Sequence, residues 1–498
     1  MMLDPLTRPR LAIVTAIGVA ALGLARWVHA ELPEMRVAGA TGVLLPDGTN
    51  AAPHHDFSTA ENGDTAWLAR DAETEQFMLV REVDKRAAVV LRAGDPILDS
   101  GTEVWEFGRY QMTPERLLFA VETTRNSTML LAHDEESGVR SLFEQDGVNY
   151  GDLVNFVAAN ARGDALVHRT GGQSELTLVP ADGGEPITIV RNGEAIPSVP
   201  GSVFELAGSA FVADDRQVVF ESIYAGGTVP GSGVFFVRGG STDIEQVIVP
   251  FPGEPTGTEM CCDLVGSDVD GIIGIVGQRD YDKFLFVGKP PELALAFTVP
   301  NGGVVIPNRP EYPLTNLEMY EVAVGRGGDF VWVSNSRVFS WEPEVGLRVL
   351  AWTNDPAPGG GTFGNTFTNL SADGRGTFQF TSNGHTVYRS SRSGEDVVVE
   401  RLAGPADTFE VPFGKVTAQR VDSYLDTRAF EAGRTVLTIN YSNPETGKES
   451  RMIVVDGVPL EEPPESSHCR VADERGGFWT IPLLALSLLG RTRRRETT

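Results

Sequence analysis

A short segment recurs eight times along this chain, and the recurrence constrains the fold more than any other feature. Each copy is a polar turn, often with Gly at its fourth place, running into an apolar or β-prone pair. The copies begin at Ala60, Met112, Asn160, Ala213, Ser267, Gly325, Ser371 and Phe430, so successive starts lie 52, 48, 53, 54, 58, 46 and 59 residues apart. The clearest copy reads Ser-Ala-Asp-Gly-Arg-Gly-Thr-Phe at 371–378. A self-similar period near fifty residues marks a repeat architecture.

Strand signals fill the intervals. Around the third copy, residues 154–159, 165–169, 175–180 and 186–191 read as four strands bounded by Gly- and Asp-containing turns. Comparable runs are 217–220, 233–237 and 246–250 in the fourth unit, 330–333, 337–341 and 347–352 in the sixth, and 376–380, 385–389 and 396–401 in the seventh. Long amphipathic helical stretches are absent. Four strands per repeat of this length is the blade of a β-propeller. The expected fold is therefore all-β: a propeller of eight four-stranded blades, or seven if a terminal unit is broken. An open β-solenoid or stacked β domains are the alternative. A strand-like stretch at 37–45 is placed to pair with the incomplete last unit near 452–455, which would remove two free sheet edges.

A second element recurs behind the fourth strand. Ala-Gly-Asp-Pro-Ile-Leu-Asp-Ser-Gly-Thr at 93–102 matches Thr-Asn-Asp-Pro-Ala-Pro-Gly-Gly-Gly-Thr at 353–362, with weaker versions at 192–197 and 252–255. Gly and Pro at fixed offsets define a rigid connecting loop. The loop and the hairpin together, over about residues 55–457, resemble the exported bacterial choice-of-anchor tandem repeat NxxGxxAF proteins. The copies are degenerate: Asn stands at the first place only in Asn160, and Gly at the fourth only in Gly63, Gly163, Gly328, Gly374 and Gly433. The resemblance implies an exported, anchored repeat protein and brings no catalytic residues.

The two ends carry addressing patterns. Arg8 and Arg10 precede an apolar run at 11–25, and Val28-His29-Ala30 offers a small-residue cleavage site. That is the plan of a secretory signal peptide covering residues 1–30, with an uncleaved anchor as the alternative. At the other end, residues 458–475 form a linker and a motif containing Cys469. They are followed by Gly476-Gly477, an apolar run at 478–490 and an arginine cluster from Arg491. Thirteen apolar residues are too few to span about 30 Å of hydrocarbon unaided, and the arginines would hold that end in the cytoplasm. This tail resembles the myxobacterial MYXO-CTERM sorting signal, with features of the related GlyGly-type tail. The resemblance implies removal of the tail and transfer of the body to the cell surface, with Cys469 as the processing or lipid-attachment point. The partners implied are signal peptidase and a C-terminal sorting protease. The location implied is the cell surface or outer membrane of a Gram-negative, myxobacterium-like bacterium.

Charge excludes one class of function. The formal net charge is −27, and residues 1–30 and 469–498 hold nine of the 41 basic residues but only four of the 68 acidic ones. The body is thus more acidic still, and such a surface repels nucleic acid. Chemistry-bearing motifs are sparse. None of the seven His forms a His-Glu-x-x-His, and no Gly-x-Ser-x-Gly elbow, P-loop or dinucleotide fingerprint occurs. His54-His55-Asp56 is the one dense His cluster, but neighbours on an extended strand point to opposite faces. Residues 371–378 approach the Asp-box of sialidase-type propellers, which is a structural hairpin, with Arg375 and Phe378 departing from it. Asp263, Asp268 and Asp270 are candidate oxygen ligands for Ca2+, without the full loop spacing or the distal Glu. Cys261 and Cys262 either close a vicinal disulfide or serve as small buried side chains. Trp105, Trp332, Trp341 and Trp352 fall at strand positions and read as packing between blades. The chain is expected to be a surface-anchored binding or structural module for an unidentified extracellular ligand or envelope partner, with no catalytic residue assigned. The alternative is a propeller enzyme acting on polysaccharide or another polymer, which would need paired carboxylates at the axial mouth.

Overall fold

The computed structural model describes residues 35–456 except 42–43, 99, 146–153, 170–173, 227–230, 250–261, 280, 394–395, 412–413, 424–433, 445–446 and 448. Among these residues every regular element is a β-strand. Seven antiparallel four-stranded meanders follow one another, at 51–92, 104–145, 154–191, 203–246, 262–299, 321–352 and 367–403. The eighth blade is composite. Gly414–Ser423, Val436–Ser442 and Glu449–Asp456 supply three strands, and Met35–Ala40 from the other end of the chain supplies the fourth.

The sequence of each blade follows from its position in the ring. Second and third strands are sandwiched between neighbouring blades on both faces, so they are continuous apolar runs rather than alternating ones. Leu117–Thr123 and Asp329–Ser334 are buried along almost their whole length. Fourth strands lie at the rim and alternate, as in Arg86–Arg92. First strands are neighbours of one another around the ring and therefore line its axis.

Eight apolar clusters, one per interface, hold the blades together. They join blades one and two, two and three, and so on to seven and eight, and the last joins eight back to one. The ring is closed, as the strand-like stretch near residue 37 predicts. At the closure Met35 pairs with Asp456 and Ala40 with Met452. The buried Trp67 indole of blade one lies flat on the closing strand: a Cβ on Gly39 would come within 2.9 Å of its ring. Arg36 of the closing strand meets the buried Glu82 of blade one at 2.5 Å. Burial pushes the Glu82 carboxyl up, and Arg36 and Thr65 partly offset this.

The recurring turn motif occupies one place in blades one to seven, the connection from first to second strand, and the start of the eighth copy, at Phe430, lies outside the described residues. These turns share one face of the ring, here the turn face, and a contact near this face crosses each interface. Asn62 donates to Pro114 O, Arg116 to Ala181 O, and Arg216 to both carboxylate oxygens of Asp164 at 2.8 Å. Lys289 bonds Asp215, Arg326 pairs with Asp270, Gly376 N–H donates to Asp329, Arg389 meets Thr435, and Arg434 donates to Glu61 O. Gly at the fourth place serves this packing. A Cβ on Gly374 would stand 1.8 Å from Arg326 O of the preceding turn, and its φ of 70° is one that L side chains rarely adopt.

The Gly-Asp-Pro loop connects fourth strands to the next first strand, on the opposite face. Its backbone pattern repeats: Asp95 N–H bonds Arg92 O, Gly94 N–H bonds Val104 O, and Val104 N–H bonds Asp95 O. The loops at 192–204 and 353–363 make the same three bonds, and so does a fourth loop at 404–418 that its sequence hides. Each inserts an apolar plug into the adjoining interface, respectively Ile97, Ile196, Ala357 and Phe409. The stretch 252–255 lies outside the described residues.

Candidate functional site

The face opposite the turns is built from these loops and from the second-to-third-strand turns; it is here called the loop face. Exposed large apolar side chains concentrate there. Among the described residues eleven such side chains are exposed. Nine belong to loop-face connections or the strand ends beside them: Leu44, Phe77, Leu98, Trp105, Ile223, Ile248, Tyr281, Val305 and Tyr320. The other two, Leu295 and Val398, lie on fourth strands at the rim. Trp105, Tyr281 and Tyr320 are 67%, 76% and 71% exposed, which is unusual for aromatic rings with this much apolar area. This one-sided exposure makes the loop face the candidate interaction surface.

Trp105 corrects the expectation that all four strand tryptophans pack between blades. Trp332 and Trp341 do so, between blades five and six. Trp352 lies under the Arg337 guanidinium, 3.9 Å from its ring centroid. Trp105 instead is the extra residue where the first strand of blade two slips register between Val104 and Glu106. A β-bulge breaks the alternation of faces, so its side chain is free of the interblade core.

The axis is polar and mixed in charge. The first strands expose Glu106 and Arg109 on blade two, Asn155 on blade three, Glu205 on blade four, Asp263 on blade five and Lys415 with Arg420 on blade eight. These strands bulge, and side chains from the preceding blade satisfy the backbone near each bulge. Ser58 accepts from Met112 N–H at 2.9 Å, Gln111 bonds both N–H and O of Ala159, and Glu321 accepts from Asn369 N–H at 2.6 Å. Glu221 plays this part for Leu264. Burial pushes the Glu221 carboxyl up, and the charge of Asp263 raises it further. Glu321 is raised by burial alone, against its backbone partners.

The sequence-predicted calcium ligands divide between two environments. Asp268 and Asp270 share the turn of blade five, on the turn face, while Asp263 lies on the first strand beside Glu221. Asp268 is buried; its Oδ1 accepts from Ile272 N–H at 2.7 Å, and its Oδ2 is buried with no hydrogen-bond partner. Burial, with Asp270's charge adding to it, pushes the Asp268 carboxyl up to about 6. Asp270 is committed to Arg326 at 3.1 Å. Among the described residues no group of three His, Cys, Asp or Glu is arranged to hold a metal.

Other candidate residues are placed as follows. His54 sets its ring edge against Phe77 at 5.4 Å. The side chains of His55, Asp56 and Cys262, and all of Cys261, lie outside the described residues, as do Ala30 and Cys469 with their segments. The Asp-box-like stretch is a hairpin: Asp373 Oδ1 accepts from Arg375 N–H and Thr377 N–H, and Phe378 is buried between blades six and seven. Tyr281 and Tyr320 carry no motif. Their sequence signal is an aromatic flanked by acidic residues at a strand boundary.

Comparison with known proteins finds likeness to the chain among solved structures alone. No family model matches it, and no curated protein does. Among solved structures it is similar to the Dos1 propeller, at 8% identity and a TM-score of 0.42 over 81% of this chain and 92% of that one. It is similar to the C-terminal WD40 domain of Sif2, at 9% identity and a TM-score of 0.42 over 86% and 99%. A third is prolyl oligopeptidase B from Galerina marginata, at 12% identity and a TM-score of 0.42, where the chain spans 55% of that protein's length. At such scores the fold assignment rests on the blades and their eight cores, described above.

Proposed function

We propose that the protein is an exported, cell-surface-anchored β-propeller that binds an extracellular ligand through its loop face. The observation that carries this reading is the one-sided placement of exposed apolar side chains, nine of eleven on the loop face. Export and anchoring are supported by the leader-like pattern ending at Ala30, by the tail around Cys469, and by the resemblance of the repeats to the NxxGxxAF proteins. Signal peptidase and a C-terminal sorting protease are the processing partners of this reading. In this reading the membrane contact is made by the tail, as its apolar run and arginine cluster suggest.

The test is a retention assay of the full chain on immobilised bacterial surface polysaccharides and, separately, on immobilised envelope proteins. Changing Trp105, Tyr281 and Tyr320 together to Ala should weaken whatever binding is found by roughly tenfold or more, as expected for exposed aromatic anchors. Asp182→Ala, an exposed turn-face change, should leave it intact. Equal retention of both variants would sink the loop-face assignment.

A second reading, cleavage of a polysaccharide or another polymer, draws on Glu221 and Asp263, two carboxylates close enough at the axis for one to raise the other. A carboxyl held above its usual range beside a second carboxyl group suits acid–base work. Release of new chain ends from a polymer by the full protein, lost in Glu221→Gln and in Asp263→Asn, would support it; no release from any polymer that is bound would retire it.

A further inference from the structure

Both ends of the ring leave it on the same side. The third strand of each blade runs from the loop face to the turn face, and the fourth runs back. In blade eight the third strand is Glu449–Asp456 and the fourth is Met35–Ala40, with Met35 paired to Asp456. The chain therefore passes to its C-terminal segment from the turn face, beside the point where the N-terminal segment arrives. The nine exposed apolar side chains stand on the other face.

We infer that the anchored protein is held with its turn face toward its own membrane and its loop face outward, so that the ligand it meets is in the medium or on another surface. The inference rests on the anchoring proposed above. The tether disfavours the reverse arrangement. The thirteen residues from Gly457 to Cys469 reach at most about 45 Å when fully extended. An eight-residue strand such as Glu449–Asp456 is itself about 25 Å long, so turning the loop face to the membrane would consume more than half of that reach.

The experiment uses the full chain in the bacterium that makes it, with a short epitope inserted at one of two exposed turns. One insertion lies between Asp182 and Gly183 on the turn face, the other between Glu73 and Thr74 on the loop face. Antibody binding to intact cells is read beside cell fractionation, and binding to detergent-released protein shows that each variant is folded and each epitope present. The expected result is strong labelling of intact cells for the Glu73 insertion and loss to background for the Asp182 insertion, with equal labelling after release. Equal labelling on intact cells, or labelling of the Asp182 insertion alone, overturns the orientation and leaves anchoring standing. Recovery of both variants in the medium overturns the anchoring and the orientation with it.

Discussion

The two faces of the ring are made from the same repeat, yet they use their side chains in opposite ways. On the turn face, three cations are spent on carboxylates across blade interfaces: Arg216 on Asp164, Lys289 on Asp215, Arg326 on Asp270. On the loop face, Trp105, Tyr281 and Tyr320 are left in water. The difference teaches where each kind of change should register. Turn-face substitutions should act on stability, and loop-face substitutions on binding alone.

The strongest challenge to that division is Asp164→Ala. Asp164 is fully buried, accepts from Arg216, Ala181 N–H and Asn160, and leaves them unpaired when removed. Burial would push its carboxyl up, but these partners outweigh it and hold the group below the usual carboxylate range. A loss of about 3 kcal/mol is expected in urea denaturation. A loss below about 0.5 kcal/mol would mean that the turn contacts are ornamental. Next comes Gly374→Val, which must displace the carbonyl of Arg326 and adopt a strained φ. About 2–3 kcal/mol should be lost, read as a lower denaturation midpoint.

A pH profile sharpens the comparison within the turn face. Asp268 and Asp329 are each pushed up to about 6, in both cases chiefly by burial. A folded-state value above the unfolded one means that the contribution to stability is present below about pH 4 and is lost as pH rises through about 6. Stability should therefore fall by about 2 kcal/mol per group across that window, and Asp268→Asn should flatten part of the slope. An unchanged slope in that variant would show that Asp268 is not the group responsible. Asp164, whose value is lowered, should act in the other sense and lose its contribution toward low pH. The smallest effect is expected on the loop face. Tyr281→Ala and Tyr320→Ala should leave stability within about 0.5 kcal/mol, and a larger loss would show that these rings are structural after all.

Strand placement was largely readable from the chain, because mid-blade strands must be apolar on both faces and the turns between them must reverse direction. The runs at 154–159 and 165–169 match the observed strands Val154–Ala159 and Ala165–Arg169. The fourth strand of blade four was misplaced: residues 246–250 look like a strand, but the pairing is Ile244–Gln246, with Val247 adding one further bond. Its valines announce burial, and burial alone does not say which residues complete the ladder. The loop at 404–418 carries no sequence signal, because its hydrogen bonds are made by backbone and Ala406 stands where Gly94 and Gly193 stand in the matching loops.

By itself the sequence establishes an eightfold repeat, an all-β fold, the positions of the first hairpins of blades one to seven and an acidic body. These are local or summed properties, carried by turn chemistry, by hydrophobic runs and by counts of charge. Folding adds what depends on residues far apart in the chain. Which tryptophan is core and which is exposed follows from a single bulge at Trp105. Whether an aspartate is neutralised or stranded follows from the neighbouring blade, which offers Arg216 to Asp164 and nothing to the second oxygen of Asp268. That both ends meet on the turn face follows from a strand donated across more than four hundred residues to the last blade. Each of these depends on packing between blades, and no period in the sequence encodes it.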